Sequence, residues 1–205
     1  TGGYDPSPYH PDNILVSVGI NDEYYFTNHS ERIDDGCYHN IQSILDKTTL
    51  LVGHNIKFDL MWLIEAGFKY TGKVYDTMLG EYILNRGIRK SLTLEMSCRR
   101  RRIGSKDNRI KEFTDRGIPF QNIPANVVEE YGRMDVQITR DLFNSQMADF
   151  RMPKNKHLLM TAKMMNEFLI VLSDMEANGI NINLEDLAKV EKEYRAEFAY
   201  LKQKI

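Results

Sequence analysis

The 205-residue chain is sparing with the residues that mark several protein classes. Its two cysteines, Cys37 and Cys98, are far apart and outside any C-x-x-C pattern, which argues against both a disulfide framework and a zinc site. No apolar run approaches the roughly 18 residues a membrane helix needs. The first residues, Thr1-Gly2-Gly3-Tyr4-Asp5, lack the basic and apolar regions of a secretory leader. A reducing, cytoplasmic setting without a membrane partner is the expectation. Neither sign of charge dominates, with 27 Lys+Arg against 29 Asp+Glu and a net charge of −2, so any surface for a polyanion must be a local cluster. What is present, 42% hydrophobic residues over this length, suffices for one full domain and part of another. The chain opens on Thr rather than Met and reads as a fragment.

Apolar periodicity predicts an α/β domain followed by helices. Ile14 to Ile20 and Glu23 to Thr27, separated by Asn21-Asp22, read as a hairpin. A helix is expected from Tyr38 to Lys47, a short buried strand at 49–53, a helix from Phe58 to Ala66 closed by Gly67, and a second strand-to-helix passage at 73–78. Segment 85–122, polar and broken by Gly87, Gly104, Gly117 and Pro119, is expected to be the least regular. A long helix starts at Pro124 and runs to about Met147, with Val128, Tyr131, Asp135, Ile138 and Leu142 on one face. Residues 151–156 read as a linker, Leu158 to Glu176 as a helix ending at Asn178-Gly179, and Asn183 as the cap of a last amphipathic helix.

Two constellations carry polar chemistry. His54-Asn55-Ile56-Lys57-Phe58-Asp59 lies at a strand-to-helix junction, and Tyr131 and Asp135 project from one helical face. A phenol and a carboxylate so placed can hold one water between them. A carboxylate among Val128, Ile138 and Leu142 costs on the order of 3 kcal/mol or more to bury unpaired, so it calls for a metal or a cation. On spacing alone, a salt-bridged or partly exposed Asp135 with Tyr131 in the core explains the pattern as well.

Asn55-x-x-Phe58-Asp59, then Tyr75-Asp76-Thr77-Met78-Leu79-x-x-Tyr82-Ile83-Leu84-Asn85, then Tyr131-x-x-x-Asp135, resembles the proofreading 3′-5′ exonuclease domain of family A DNA polymerases. Val171 to Ile180 is similar to the segment that opens the polymerase thumb in that family. The resemblance implies a ribonuclease H-like fold, a mixed sheet with flanking helices, over 1–150, and the start of a polymerase domain over 157–205. It implies that Asp59 and Asp135 are metal-linked catalytic carboxylates, that Tyr131 orients the attacking water, and that Asn55 and Phe58 line the 3′-terminal nucleotide. Two Mg²⁺ ions, or Mn²⁺ in their place, would serve hydrolysis of the single-stranded 3′ end of a DNA primer. The compartment would be cytoplasmic, the host's if the source is a phage, and no processivity partner is specified.

The family's first motif, an Asp-x-Glu on a strand, is not found before residue 55, and Thr1-Gly2-Gly3 resembles the stretch just after it. The chain alone is therefore expected to lack the first strand and two ligands and to hydrolyse little. Asp174-Met175-Glu176 does not substitute, because side chains at i and i+2 of a helix diverge. A non-catalytic domain that positions DNA and a stand-alone ribonuclease D-like exonuclease are the competing readings. Arg99 to Arg102, with Arg86, Arg89, Lys90, Lys106, Arg109 and Lys111 nearby, either tracks a phosphate backbone or is a solvated surface. Asp76 reads as a helix cap, His54 as a supporting or core residue, and the methionines at 160, 164, 165 and 175 as helix packing.

Overall fold

The computed structural model describes residues 7–104 and 109–204. Ser17–Ile20 (β1) and Glu23–Phe26 (β2) form an antiparallel hairpin in which Ile20 faces Glu23, and Asn21 takes the positive φ of 55° that its two-residue turn requires. Leu50–Gly53 (β3) and Lys73–Asp76 (β4) pair in parallel, with Gly53 opposite Asp76. The connection between them is Ile56–Glu65 (α2), as a parallel pair demands. Both strand orientations of a mixed α/β architecture are thus present, in two ladders of two strands each among the described residues.

The remaining helices are Cys37–Lys47 (α1), Thr77–Leu84 (α3), Leu94–Arg101 (α4), Arg109–Asp115 (α5), Ala125–Arg151 (α6), Leu158–Asn178 (α7) and Leu184–Lys202 (α8). Helix α1 buries Cys37, Ile41 and Leu45, spaced by four. Helix α6, 27 residues and so about 40 Å long, is the spine against which β1, β2, β3, α3, α4 and α5 pack. It buries Val128, Ile138 and Leu142 and keeps Tyr131 and Asp135 half-buried on the same face. At Gly132 it lies so close to the hairpin that a methyl group would overlap the Tyr24 ring, whose hydroxyl donates to the Val128 carbonyl at 3.3 Å. The helix stops at Met152, held extended by the following Pro153.

Segment 85–122 is more ordered than its composition predicts. It holds α4, capped by the Thr93 hydroxyl accepting from Met96 N–H, and α5; α4 buries Leu94 and Cys98 in a cluster with Ile138 and Leu142 of α6, and α5 buries Ile110 in the cluster of Ile123 and Val128.

The chain divides into two compact units, Thr1–Ser173 and Asp174–Ile205, so the first continues past 150 and includes most of α7. There Ala162 and Leu169 are buried in the core, Leu169 in the cluster that contains Ile41, Leu51 and Leu60. In the second unit Asn183 caps α8 by accepting from Glu185 and Asp186 N–H, and Leu187, Val190, Tyr194, Phe198 and Leu201 stay exposed. Cys37 and Cys98 are both buried free thiols. No helix among the described residues is long and apolar enough to cross a membrane.

Candidate active site

Two residues turn the chain between β3 and α2, and the second, Asn55, sits at φ 64° in the left-handed region. Asparagine is among the few side chains that tolerate it. Its N–H donates to Asp76 Oδ1 at 2.9 Å, and the same oxygen accepts from Met78 N–H at 2.8 Å, capping α3 as the sequence predicts. One carboxylate therefore ties together the starts of two helices. Asp76 is 1% exposed, and its Oδ2 has no hydrogen-bond partner among the described residues. Burial raises its pKa, opposed by the N–H groups of Asn55 and Met78 and by His54.

Asp59 lies one turn into α2 and is exposed. Desolvation by the surrounding protein, then repulsion from Asp76 and Asp135, push its pKa up to about 7. Asp59 on α2 thus lies close enough to Asp76 at the end of β4 and to Asp135 on α6 to feel both charges. Tyr131 stands one turn before Asp135 on α6, with its ring against the Tyr24, Phe26 and Val128 cluster. Asn55 is exposed, and Phe58 is half-buried, edge-to-face with Trp62 at 6.4 Å between ring centres.

Hard oxygen donors whose charges repel one another suit a divalent cation of the Mg²⁺ kind. Yet among the described residues no group of three or more His, Cys, Asp and Glu side chains is arranged to hold a metal ion. Asp59 and Asp135 supply two carboxylates of the oxygen-donor kind such a cation takes, fewer than a full site needs.

The raised pKa of Asp59 has a thermodynamic consequence. Between about pH 4 and about pH 7 the folded chain keeps a proton that the unfolded chain, with its ordinary carboxylate near 3.8, has lost. Stability therefore falls as pH rises through that window. In a chelator-containing buffer the melting temperature is expected to decline from pH 5 to pH 7.5, and Asp59→Asn, uncharged throughout, to flatten the decline. An equal slope in that variant would remove Asp59 as its source.

Several supporting residues are not visible as motifs. Asn166 of α7, 3% exposed, accepts from Asp76 N–H at 2.6 Å. Gln146 of α6, fully buried, donates to the Thr77 carbonyl at 2.8 Å and accepts from the Tyr75 hydroxyl at 3.0 Å. The signal available for both was an amide amid apolar helix positions. His54 bridges Thr77 Oγ1 and the Leu92 carbonyl, each at 2.9 Å, which makes it a brace between the β3–α2 junction and the loop before α4. The basic block splits: Arg100 and Arg101 turn inward onto Glu81, Arg109 pairs with Glu130, and Arg86 reaches the Lys154 carbonyl. Arg89, Lys90, Arg99, Arg102 and Lys111 are exposed, and Lys106 lies outside the described residues.

A family model described as 3′-5′ exonuclease matches residues 2–148. The chain is 26% identical over 145 residues to DNA polymerase I of Borreliella burgdorferi, covering 71% of this chain and 15% of that protein. It is also 26% identical over 155 residues to DNA polymerase I of Chloroflexus aurantiacus, covering 74% of this chain and 16% of the other. It spans about one sixth of the length of either relative. The matched residues contain the β3–α2 junction, β4 and the Tyr131–Asp135 face of α6, and the chain belongs to the 3′-5′ exonuclease domain family of family A DNA polymerases.

Proposed function

We propose that this chain is the proofreading portion of a family A DNA polymerase and removes 3′-terminal nucleotides from the single-stranded end of a DNA primer, with 157–205 beginning the polymerase domain. The observation that carries the reading is the approach of Asp135 on α6 to Asp59 on α2, close enough that the Asp135 charge helps to raise the Asp59 pKa. Asp59 and Asp135 would hold Mg²⁺, or Mn²⁺ in its place, together with further oxygen donors. The cation, when bound, would lower the pKa of water and offset charge on the leaving 3′ oxygen.

The chain's own residues do the rest. Tyr131 accepts or donates a hydrogen bond that aims a water at the terminal phosphorus. As the water's oxygen bonds to phosphorus, the bond from phosphorus to the 3′ oxygen of the penultimate nucleotide breaks, that oxygen takes a proton, and a 5′-mononucleotide leaves. Asn55, exposed at the β3–α2 junction, and Phe58, one helical turn on, line the terminal nucleotide.

The test uses the polymerase that contains this chain, with a 3′-labelled single-stranded oligonucleotide and Mg²⁺. Asp135→Ala is expected to abolish mononucleotide release while primer extension is unchanged. Release that survives removes the site assignment. Absence of release from the unsubstituted protein, with DNA binding intact, would favour a DNA-positioning domain.

A further inference from the structure

The 3′-5′ exonuclease match ends at residue 148, yet the hydrogen bond that pins the end of β4 comes from beyond it. Asn166 is buried on α7, its Nδ2 donates to the Ala162 carbonyl at 2.8 Å, and this leaves Oδ1 aimed at Asp76 N–H. Asp76 in turn holds Asn55 N–H and Met78 N–H through a single oxygen. From Asn55 the chain passes, within one turn, to Phe58 and Asp59, and Phe58 N–H donates to the Asn55 carbonyl at 2.9 Å. The links are continuous: α7 fixes the backbone of Asp76, Asp76 fixes the left-handed turn at Asn55, and that turn sets where α2 starts and which way Asp59 faces.

We infer that Asn166 is a positioning residue of the exonuclease site, acting through Asp76 and Asn55 on Asp59, so that α7, at the start of the proposed polymerase portion, also braces the exonuclease site. Removing the acceptor leaves a buried N–H without a partner and releases the start of α2. A residue that served only to dock α7 would instead loosen everything that α7 touches.

Amide hydrogen exchange on the whole 205-residue chain separates these cases. In Asn166→Ala, residues 53–60 are expected to exchange about tenfold faster, with the hairpin at 17–26 unchanged. Met165→Ala trims the apolar contacts that dock α7 against the Tyr75, Ile83 and Phe150 cluster but leaves the Asn166 oxygen in place, and is expected to stay within about twofold of the unsubstituted chain in 53–60. The inference is overturned if 53–60 does not respond to Asn166→Ala, if Met165→Ala accelerates 53–60 as much as Asn166→Ala does, or if the hairpin and α6 accelerate as much as 53–60. Its catalytic consequence rests on the exonuclease reading: in the polymerase that contains this chain, Asn166→Ala should lower kcat for 3′ hydrolysis about tenfold with KM and primer extension unchanged, and Met165→Ala should leave kcat within about twofold. If hydrolysis survives Asp135→Ala, that reading fails while the exchange result still stands on its own.

Discussion

Glu81→Ala is expected to destabilise the first unit by about 3 kcal/mol. Glu81 is 3% exposed, at a junction of α3, α4 and α6. Its Oε2 accepts from Arg101 Nε at 2.8 Å and Gln146 Nε2 at 3.2 Å, and its Oε1 from Arg100 Nη2 at 3.2 Å and Nε at 3.3 Å. Arg101 continues to Asp149 Oδ2 at 2.7 Å. Deleting one member of a buried ion cluster costs more than the cluster contributes, because the partners stay behind in a dry place; the usual loss is about 3–5 kcal/mol. The low end applies because Arg101 keeps Asp149 and the side chains of Arg100 and Arg101 remain 22% and 13% exposed. For a chain of this size that loss corresponds to roughly 6–12 °C in Tm. Urea or thermal unfolding would show it, and a change under about 1 kcal/mol would mean that the cluster's charges are hydrated in the folded state.

The second large effect is on turnover. In the polymerase that contains this chain, Asp59→Ala is expected to slow 3′ hydrolysis by about a thousandfold, roughly 4 kcal/mol at the barrier. On the proposed reading Asp59 and Asp135 would serve the same cation and the same phosphorus, so their losses should not add: the double variant should be no slower than the worse single one, within about threefold. Single-turnover rates on a single-stranded 3′ end measure this. A multiplicative loss would mean that the two carboxylates act in separate steps or at separate places.

Much of the framework was legible in the sequence, because it is local. The spacing of Val128, Tyr131, Asp135, Ile138 and Leu142 needs only a helical period to put five side chains on one face, and α6 places them so. Asn21-Asp22 between two β-rich runs gives the hairpin, and Asn183 caps α8 as its position suggests. Helices α4 and α5 were not legible. Arg100 and Arg101 of α4 are held by Glu81 and Asp149, 19 to 48 residues away, and no periodicity within 94–101 announces those bonds. Asp76 was legible as a cap but not as a neighbour of Asp59, since that depends on the parallel register that sets Gly53 beside it. Asn166 was least legible of all, reaching across 90 residues to a backbone N–H.

The two ladders have a consequence for handling the protein. Strand β1 pairs only with β2 and β3 only with β4, so among the described residues every strand has one flank of backbone groups outside any ladder. Such a flank is a template on which a strand of a second molecule can add, although Asn166 already occupies Asp76 N–H on β4 and Asp34 occupies Phe26 N–H on β2. Two traits limit that traffic: each strand is four residues long, and Glu23 and Lys73 put an exposed charge at the start of β2 and β4. Lengthening these strands or neutralising either charge would shift the chain from a dissolved state toward self-association, independently of anything that happens at the carboxylates.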